Sequence, residues 1–295
     1  MTLIAEPKRD AAPGFADARA RAEHVLAGGS PYDFAAQPRW FCFSALWLFD
    51  RCPRQYALRY LCGFAVEVRR AALDFGTAAH AAFERFTRER RQRARRGVAA
   101  PDRAELGSWF EAAGLAAGLS TDAESWRRRA EPMLDHFIAA ESAGQAETLV
   151  EEAGFRFGLP IDPETRVTIA GYIDRIDRRR SGGVEVVDYK TGSMGSSEPA
   201  ESNLQLGIYA LGCREALGFD TPDLVTLYYV EHGRRVSSRP TDAALDGQLA
   251  DLRGRVRAIR DSGFAPRPSP SACGWCDFAG ICRERVAASP GSPVS

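Results

Sequence analysis

Two aspartates and one lysine lie on segments whose residue pattern would bring them together. Asp188 and Lys190 are two positions apart in an alternating, β-branched segment, so on a strand their side chains leave the same face. The preceding strand-like segment contains Asp174, and an Arg-Ser-Gly-Gly sequence typical of a hairpin turn joins the two segments. Pairing about a turn centred near Ser181 places Asp174 opposite Asp188, with Cβ atoms about 4.5–5.5 Å apart. A register shifted by one residue would instead turn the carboxylates to opposite faces.

Opposed carboxylates of this kind predict a bound divalent cation. Like charges directly opposite each other destabilise a sheet unless a cation lies between them, and carboxylate oxygens are ligands that Mg²⁺ and Mn²⁺ prefer. Of the 39 basic residues only two are lysines, and Lys190 is the one inside the predicted fold, where an ammonium can do what a guanidinium cannot. The alternative is that Asp174 or Asp188 is a solvated strand residue paired with Arg175. Asp177, which faces the other way, fits that ordinary role better.

Three cysteines near the end of the sequence form a C-x2-C-x5-C motif in a loop-like segment: Cys273, Cys276 and Cys282. This spacing lets three thiolates converge on one metal centre without regular structure. The total of seven cysteines is odd and the sequence shows no export signal, which favours a reducing compartment over a disulfide framework. Spacing alone does not distinguish an iron-sulfur cluster from a structural zinc site. Three further cysteines fit no motif and are expected to be buried thiols: Cys42, Cys62 and Cys213.

The domain organisation follows from where periodicity begins and ends. Residues 1–38 and 287–295 lack sustained periodicity, so the sequence predicts a disordered extension and a disordered tail. Residues 39–286 are predicted to form a single domain. Its parts are a helical part, an α/β core and a cysteine-rich closure: 43–143, 149–262 and 266–284.

Within this domain the apolar pattern changes along the chain from helical periodicity to the alternation of strands. Pro53 interrupts the first helical stretch, for which Ser44 is the expected N-cap. Helices are expected at 74–96 and from 103 to 143, and alternating segments then predict three strands, a helix and a fourth strand: 149–159, 166–177, 183–189, 201–217 and 224–230. This order predicts an α/β fold with a mixed central sheet.

Five sets of residues, taken in order, resemble the motifs of a known nuclease family. They are FSAL followed by CPRQY, then GTAAH, GYIDRID, VDYKTG and QLGIY, at residues 43–56, 76–80, 171–177, 187–192 and 205–209. In order and spacing they resemble the RecB-like PD-(D/E)xK nucleases, in particular the iron-sulfur branch with AddB-type nuclease modules and CRISPR adaptation nucleases. The resemblance spans residues 43–282. It implies a restriction-endonuclease-like core with a helical N-terminal insertion and an iron-sulfur staple.

The resemblance assigns metal and catalytic roles to individual residues. His80, Asp174 and Asp188 would bind Mg²⁺ or Mn²⁺, with the main-chain carbonyl of Tyr189 as a further ligand. Lys190 would be the catalytic lysine, stabilising charge that develops on the scissile phosphate. The reaction so implied is hydrolysis of a phosphodiester bond.

The same resemblance implies roles at the rim of the site and at the staple. Gln205 and Tyr209, which share one helix face, would line the substrate side. Glu151 or Glu152 would match an additional family carboxylate, and the sequence does not choose between them. Cys52 would be the distant fourth ligand of a [4Fe-4S] cluster, with structural Zn²⁺ as the alternative.

The function implied is that of a DNA exonuclease or flap-type endonuclease acting on single-stranded DNA or duplex ends, in repair, recombination or CRISPR-type processing. Net charge is zero, so the basic signal is local, in arginine-rich runs at 85–96 and 127–129 that equally suit a solvated helix face. Trp109 and Trp126 nearby are expected to be core residues rather than base-stacking ones.

Composition also limits the other classes of function. No apolar stretch reaches the roughly 18 residues that a membrane helix needs, so a cytoplasmic protein is expected. No P-loop motif is present, so any helicase partner is a separate polypeptide. Two alternatives stay open at this stage. One is a catalytically inactive DNA-binding or helicase-partner subunit of nuclease fold, and the other is a zinc-binding interaction protein with solvated acidic strands.

Overall fold

The computed structural model describes residues 17–65, 71–119, 123–144, 146–192 and 203–287. Within them the chain forms one six-stranded sheet with helices packed on both faces. Residues 1–16 and 288–295, which belong to the expected extension and tail, lie outside the described residues. So do Glu201 and Ser202 at the predicted start of a helix.

The sheet is mixed, as the sequence predicted. Its strands are β1 Trp40–Phe41, β2 Glu147–Pro160, β3 Arg166–Arg178, β4 Val184–Lys190, β5 Leu224–Tyr229 and β6 Arg234–Ser238. β3 pairs in parallel with β1 and antiparallel with β2 and β4. β4 pairs in parallel with β5, which pairs antiparallel with β6. The combination of parallel and antiparallel pairs confirms the predicted α/β class with a mixed sheet.

Helices cover both faces and form two separate cores. They are α1 Ala18–Leu26, α2 Phe43–Arg51, α3 Pro53–Tyr56, α4 Ala71–Arg95, α5 Arg103–Ala117, α6 Ala123–Ala143, α7 Leu204–Ala216, α8 Asp242–Arg260 and α9 Pro270–Gly274. One core contains residues of α1–α3, α7 and α8, and the other contains residues of α4–α6. Neighbouring residues of β4 alternate between them, since Val186 packs in the first core and Val187 in the second.

The hairpin between β3 and β4 has the register that its turn predicted. Paired residues run back from Arg178 and Val184 through four successive pairs. Gly182 in the turn has a φ of 93°, a left-handed conformation that glycine adopts without the steric cost of a side chain. Continued by one step, this register sets Asp174 opposite Asp188.

The expectation that residues up to 38 are disordered is wrong for residues 17–38. The Asp17 side chain caps α1 by accepting a hydrogen bond from the N–H of Ala20, and Ala22 and Val25 are buried. The Tyr32 hydroxyl donates to the Ile259 carbonyl at 3.1 Å and so ties this segment to α8. Because only Ala22 and Val25 of its 9 residues are buried, the apolar periodicity of α1 is weak.

Two further helix boundaries differ from prediction. Cys42, not Ser44, occupies the N-cap of α2, and it makes no side-chain capping bond. The helical segment after Arg103 is two helices, since α5 ends at Ala117 and its C-cap, Gly118, has a φ of 99°. The interruption at Pro53 is confirmed. None of the described helices is both long and apolar enough to cross a bilayer.

Candidate active site and cysteine centre

The predicted catalytic residues come from one helix and two strands that meet near the end of β4. His80 lies on α4, Asp174 on β3, and Asp188 and Lys190 on β4. His80 Nδ1 lies 3.2 Å from Asp174 Oδ1, and the main-chain N–H of Tyr189 donates to Asp174 Oδ2 at 2.7 Å. The Asp174 carboxylate is therefore held between α4 and β4.

The Asp188 carboxylate is directed at α7 rather than at His80. Its side chain is 4% exposed, and Lys190 Nζ forms an ion pair with Asp188 Oδ2 at 2.7 Å. The same ammonium donates to Gln205 Oε1 at 2.7 Å. Gln205 Nε2 donates to Asp188 Oδ1 at 3.1 Å and to the Tyr209 hydroxyl at 2.8 Å. Gln205 therefore orients both the lysine and the aspartate.

A third carboxylate, that of Glu152 on β2, joins His80 and Asp174. The β2–β3 register places Glu152 opposite Asp174. One ligand atom from each of His80, Glu152 and Asp174 lies within 4.8 Å of the others. Glu152 has a φ of 47°, a conformation that is uncommon for a residue with a side chain and often occurs at functional sites. Glu151 is engaged elsewhere, 2.5 Å from Arg91, so the structure favours Glu152 as the additional carboxylate.

Carboxylates outnumber cations in this site, and the pKa values of its groups reflect the excess. Burial lowers the pKa of His80, but the Asp174 carboxylate, aided by Asp188 and Glu152, outweighs burial and raises that pKa to about 9. Burial, followed by the charge of Asp174, raises the pKa of Glu152 to about 7. Burial also raises the pKa of Asp188, although Lys190 opposes the shift. One nitrogen and several carboxylate oxygens around a common point form a donor set that fits a divalent cation.

Four cysteines line one cavity beside α3: Cys52, Cys273, Cys276 and Cys282. Cys52 directly precedes α3, whereas the other three lie in α9 and the loop that follows it. The main-chain N–H of Arg267 donates to Cys52 Sγ at 3.4 Å. No three of these four Sγ atoms, all of them in the described part of the chain, come within 4.8 Å of one another. The structure thus brings the C-terminal motif and the distant Cys52 to one place.

The remaining cysteines only partly match their expected burial. Cys62 and Cys213 are buried in the first core, as predicted. Cys42 is half-buried, and its Sγ lies 3.1 Å from Ser44 Oγ at the start of α2. The expectation of a buried thiol is therefore wrong for Cys42, because the helix N-terminus leaves it partly open to solvent.

The arginine-rich runs are largely paired with carboxylates. The ion pairs are Arg88–Glu84, Arg91–Glu151, Arg93–Glu105, Arg127–Glu111 and Arg129–Glu231. Trp126 is buried, and its indole N–H donates to the Leu119 carbonyl, as expected of a core residue. Trp109 is half-buried, with the Arg85 guanidinium 4.7 Å from its ring centre. This pairing favours solvated helix faces over a continuous phosphate-binding surface.

Comparison with family models decides the class of protein to which this geometry belongs. The model described as the PD-(D/E)XK nuclease superfamily matches residues 41–283. This chain belongs to the PD-(D/E)XK nuclease superfamily. Superfamily members are generally metal-dependent nucleases, and the matched range contains every residue of the candidate active site and all four cysteines of the cavity.

The other comparisons add little to the superfamily assignment. A solved structure described as the crystal structure of SSO0001 shares 16% identity with this chain, with a TM-score of 0.41. The match covers 92% of this chain and 95% of that one. No curated protein matches the chain.

Proposed function

We propose that this PD-(D/E)XK protein is a metal-dependent DNA nuclease of the RecB-like, iron-sulfur branch. It hydrolyses phosphodiester bonds as an exonuclease on single-stranded DNA or DNA ends, in repair, recombination or CRISPR-type processing. The observation that carries the proposal is the grouping of His80, Glu152 and Asp174 within 4.8 Å, next to the Lys190–Asp188 ion pair. These groups combine ligands for a divalent metal ion with the positive charge of Lys190.

The metal ligands would be His80, Glu152 and Asp174, with Asp188 and the Tyr189 carbonyl as further ligands. When bound, Mg²⁺ or Mn²⁺ supplies Lewis-acid polarisation of a phosphoryl oxygen and lowers the pKa of a bound water. Asp174 is already oriented for this role by the Tyr189 N–H. Its position therefore does not depend on the cation.

Lys190 would stabilise the negative charge that develops on the scissile phosphate. Burial lowers the pKa of Lys190, but the Asp188 carboxylate outweighs burial and raises it, so the side chain stays an ammonium. Gln205 holds that ammonium at 2.7 Å. Burial, followed by the Asp188 charge, raises the pKa of Tyr209 well above its usual value, so its hydroxyl stays a neutral donor on the substrate side.

The proposal is tested by cleavage of end-labelled DNA with Mg²⁺ or Mn²⁺. Lys190→Ala is expected to lower the rate by about 10²–10³, since a charge-stabilising group is lost. Arg178→Ala is the matched control, because that side chain is 57% exposed and lies at the hairpin end of β3. Equal cleavage by wild type and Lys190→Ala would show that the active-site assignment is wrong.

The choice of substrate distinguishes the finer parts of the proposal. Short products from linear single strands, with no cleavage of a circular single strand, support an exonuclease. Cleavage of the circle indicates an endonuclease instead. Binding of DNA without turnover under either metal would favour a non-catalytic binding subunit.

The four cysteines are proposed to hold a [4Fe-4S] cluster that ties α3 to the C-terminal loop. The resemblance to the iron-sulfur branch of the family supports a multi-iron cluster over a single zinc ion. Closing so long a loop adds to the stability of the fold.

Anaerobic purification followed by a visible spectrum and metal analysis tests the cluster. Broad visible absorbance with about four iron atoms per chain is expected. Cys276→Ser should lose the absorbance, whereas Cys213→Ser should keep it, because Cys213 lies in the first core and not in the cysteine cavity. A colourless protein that contains zinc would contradict the iron-sulfur assignment.

A further inference from the structure

Arg54 is a buried arginine that lines the cysteine cavity. It is the second residue of α3, is 8% exposed, and shares the cavity wall with Cys52, Cys273, Cys276 and Cys282. A buried guanidinium needs acceptors for its N–H groups and an opposite charge near it. The partners of Arg54 therefore indicate what the cavity is built to hold.

The protein itself satisfies only part of this need. Arg54 Nη1 donates to Glu284 Oε1 at 2.8 Å, but the Glu284 side chain is 43% exposed. Arg54 Nε is buried and has no hydrogen-bond acceptor among the residues that the structure describes. Buried donors are nearly always paired, so an unpaired one in a cavity indicates a group bound there.

A metal–thiolate centre has the charge and the acceptors that Arg54 lacks. Four thiolates around Zn²⁺ or around a [4Fe-4S]²⁺ core leave a net charge of about −2, and the ligand sulfurs accept hydrogen bonds. One sulfur of this set, Cys52 Sγ, already accepts a hydrogen bond from the main-chain N–H of Arg267 at 3.4 Å. The other arginine side chains lining the cavity, those of Arg267 and Arg285, belong to exposed residues, which leaves Arg54 as the buried cation of the wall.

We propose that Arg54 is the counter-cation and N–H donor of the cysteine centre, and that it controls how firmly the centre holds its metal. This inference rests on the proposed metal–thiolate centre. It adds that a residue outside the ligand set tunes the centre: groups around the ligands set metal affinity and reduction potential. A positive charge and a donor beside the sulfurs stabilise the reduced, more negative cluster and therefore raise its potential.

Three variants separate charge from hydrogen bonding. Arg54→Met removes both but keeps an apolar stem, whereas Arg54→Lys keeps the charge without the Nε–H. Glu284→Gln removes the exposed carboxylate that partly neutralises Arg54 and that also accepts a hydrogen bond from the Cys282 thiol at 3.6 Å, so its effect should have the opposite sign. Arg59→Met is the matched control, since Arg59 is 56% exposed, pairs with Asp277 in the same loop at 3.4 Å, and does not line the cavity.

The measurements are the rate of metal loss to a chelator and the cluster potential, titrated anaerobically with dithionite and followed by visible absorbance. Arg54→Met is expected to lose metal several-fold faster and to have a lower potential than wild type. Arg54→Lys should be intermediate, and Glu284→Gln should raise the potential. Arg54→Lys, which keeps the buried charge, gives a result on Arg54 even if Arg54→Met folds poorly, because Glu284→Gln also acts directly on Cys282.

The outcomes separate this inference from the proposed cluster. Suppose that the wild type is fully loaded with the cluster. If Arg54→Met and Glu284→Gln then show the same rate of metal loss and the same potential as Arg59→Met, the role of Arg54 is overturned and the cluster assignment stands. A wild type loaded with zinc would refute the cluster. The role of Arg54 would then still be supported if Arg54→Met releases zinc fastest and Arg54→Lys is intermediate. Equal zinc-release rates would refute it. A wild type that binds no metal at these cysteines would overturn both.

Discussion

Two clusters of buried charge include residues of β3, and they are balanced differently. In the cluster beside α4–α6, Arg175 lies 2.6 Å from Asp177 and also contacts Glu141, and Arg90 lies 2.6 Å from the other oxygen of Glu141. Every carboxylate in this balanced cluster has a guanidinium partner. Only three positions separate Asp177 from Asp174, yet Asp174 belongs to a cluster of the opposite kind.

The second, unbalanced cluster holds more acids than cations. Glu152, Asp174 and Asp188 are accompanied by His80 and Lys190, and the acids raise the pKa of one another or of the histidine. Such crowding of carboxylates does not stabilise the fold, because like charges in a buried site destabilise it. Ion pairs with matched charge therefore support the structure, whereas an unmatched excess of carboxylates indicates a binding site for an added cation.

The largest expected effect is that of Asp174→Asn on DNA cleavage. We expect the single-turnover cleavage rate to fall by about 10³ or more, because the bound metal contributes several kcal/mol of transition-state stabilisation. The urea midpoint of the metal-free protein should stay near that of wild type, since the lost charge belongs to the unbalanced cluster. Asp177→Asn is the matched control and should show the reverse, lowering the midpoint more than the rate. A similar profile for both variants would break the distinction between the clusters.

The next effect concerns the balanced cluster alone. Arg175→Met should destabilise the protein by about 3–5 kcal/mol, because it leaves buried Asp177 and Glu141 without their main cation. Urea unfolding measures the loss. Arg178→Met on the same strand, whose 3.8 Å pair with Glu147 is solvent-exposed, should cost only about 0–1 kcal/mol. Equal losses would mean that the buried network contributes no more than a surface ion pair.

A smaller effect is expected from Glu152→Gln. The affinity of this variant for Mn²⁺, measured by titration calorimetry, should fall by about 10- to 100-fold. Its free energy of unfolding without metal should not fall, because a crowded negative charge is removed. Glu151→Gln is the matched control, since that carboxylate pairs with Arg91 and points away from the site. Weaker metal binding by Glu151→Gln instead would show that the additional carboxylate is Glu151.

The choice between these two glutamates shows where sequence-based prediction stops. The turn at Ser181 and strict alternation were enough to predict the β3–β4 register, which the structure confirms. On β2 the register shifts between Thr148 and Val150. An irregularity of this kind exchanges the faces of the residues around it and leaves no mark in the residue pattern. Glu151 and Glu152 therefore could not be separated from the sequence alone.

Contacts between distant segments were the other limit. Spacing alone grouped the three C-terminal cysteines, but more than 200 residues separate them from Cys52, which only the family resemblance connected to them. The burial of Arg54 and the pairing of the arginine-rich runs likewise depend on tertiary contacts that periodicity does not encode. The helix at Ala18–Leu26 was missed because only Ala22 and Val25 in it are buried, which is too few for an apolar pattern.

The smallest expected effect tests whether the two clusters are coupled through Tyr189, which contacts both. Arg175 Nη1 donates to the Tyr189 hydroxyl at 3.3 Å, and the Tyr189 N–H donates to Asp174 Oδ2 at 2.7 Å. Tyr189→Phe removes the first contact and keeps the second, so unfolding should become easier by about 1 kcal/mol while cleavage changes by no more than about twofold. A rate loss above about tenfold, with the same small loss of stability, would mean that the Arg175 cluster helps to hold the metal ligands in place. The balanced cluster would then be part of the catalytic apparatus rather than only a support for the sheet.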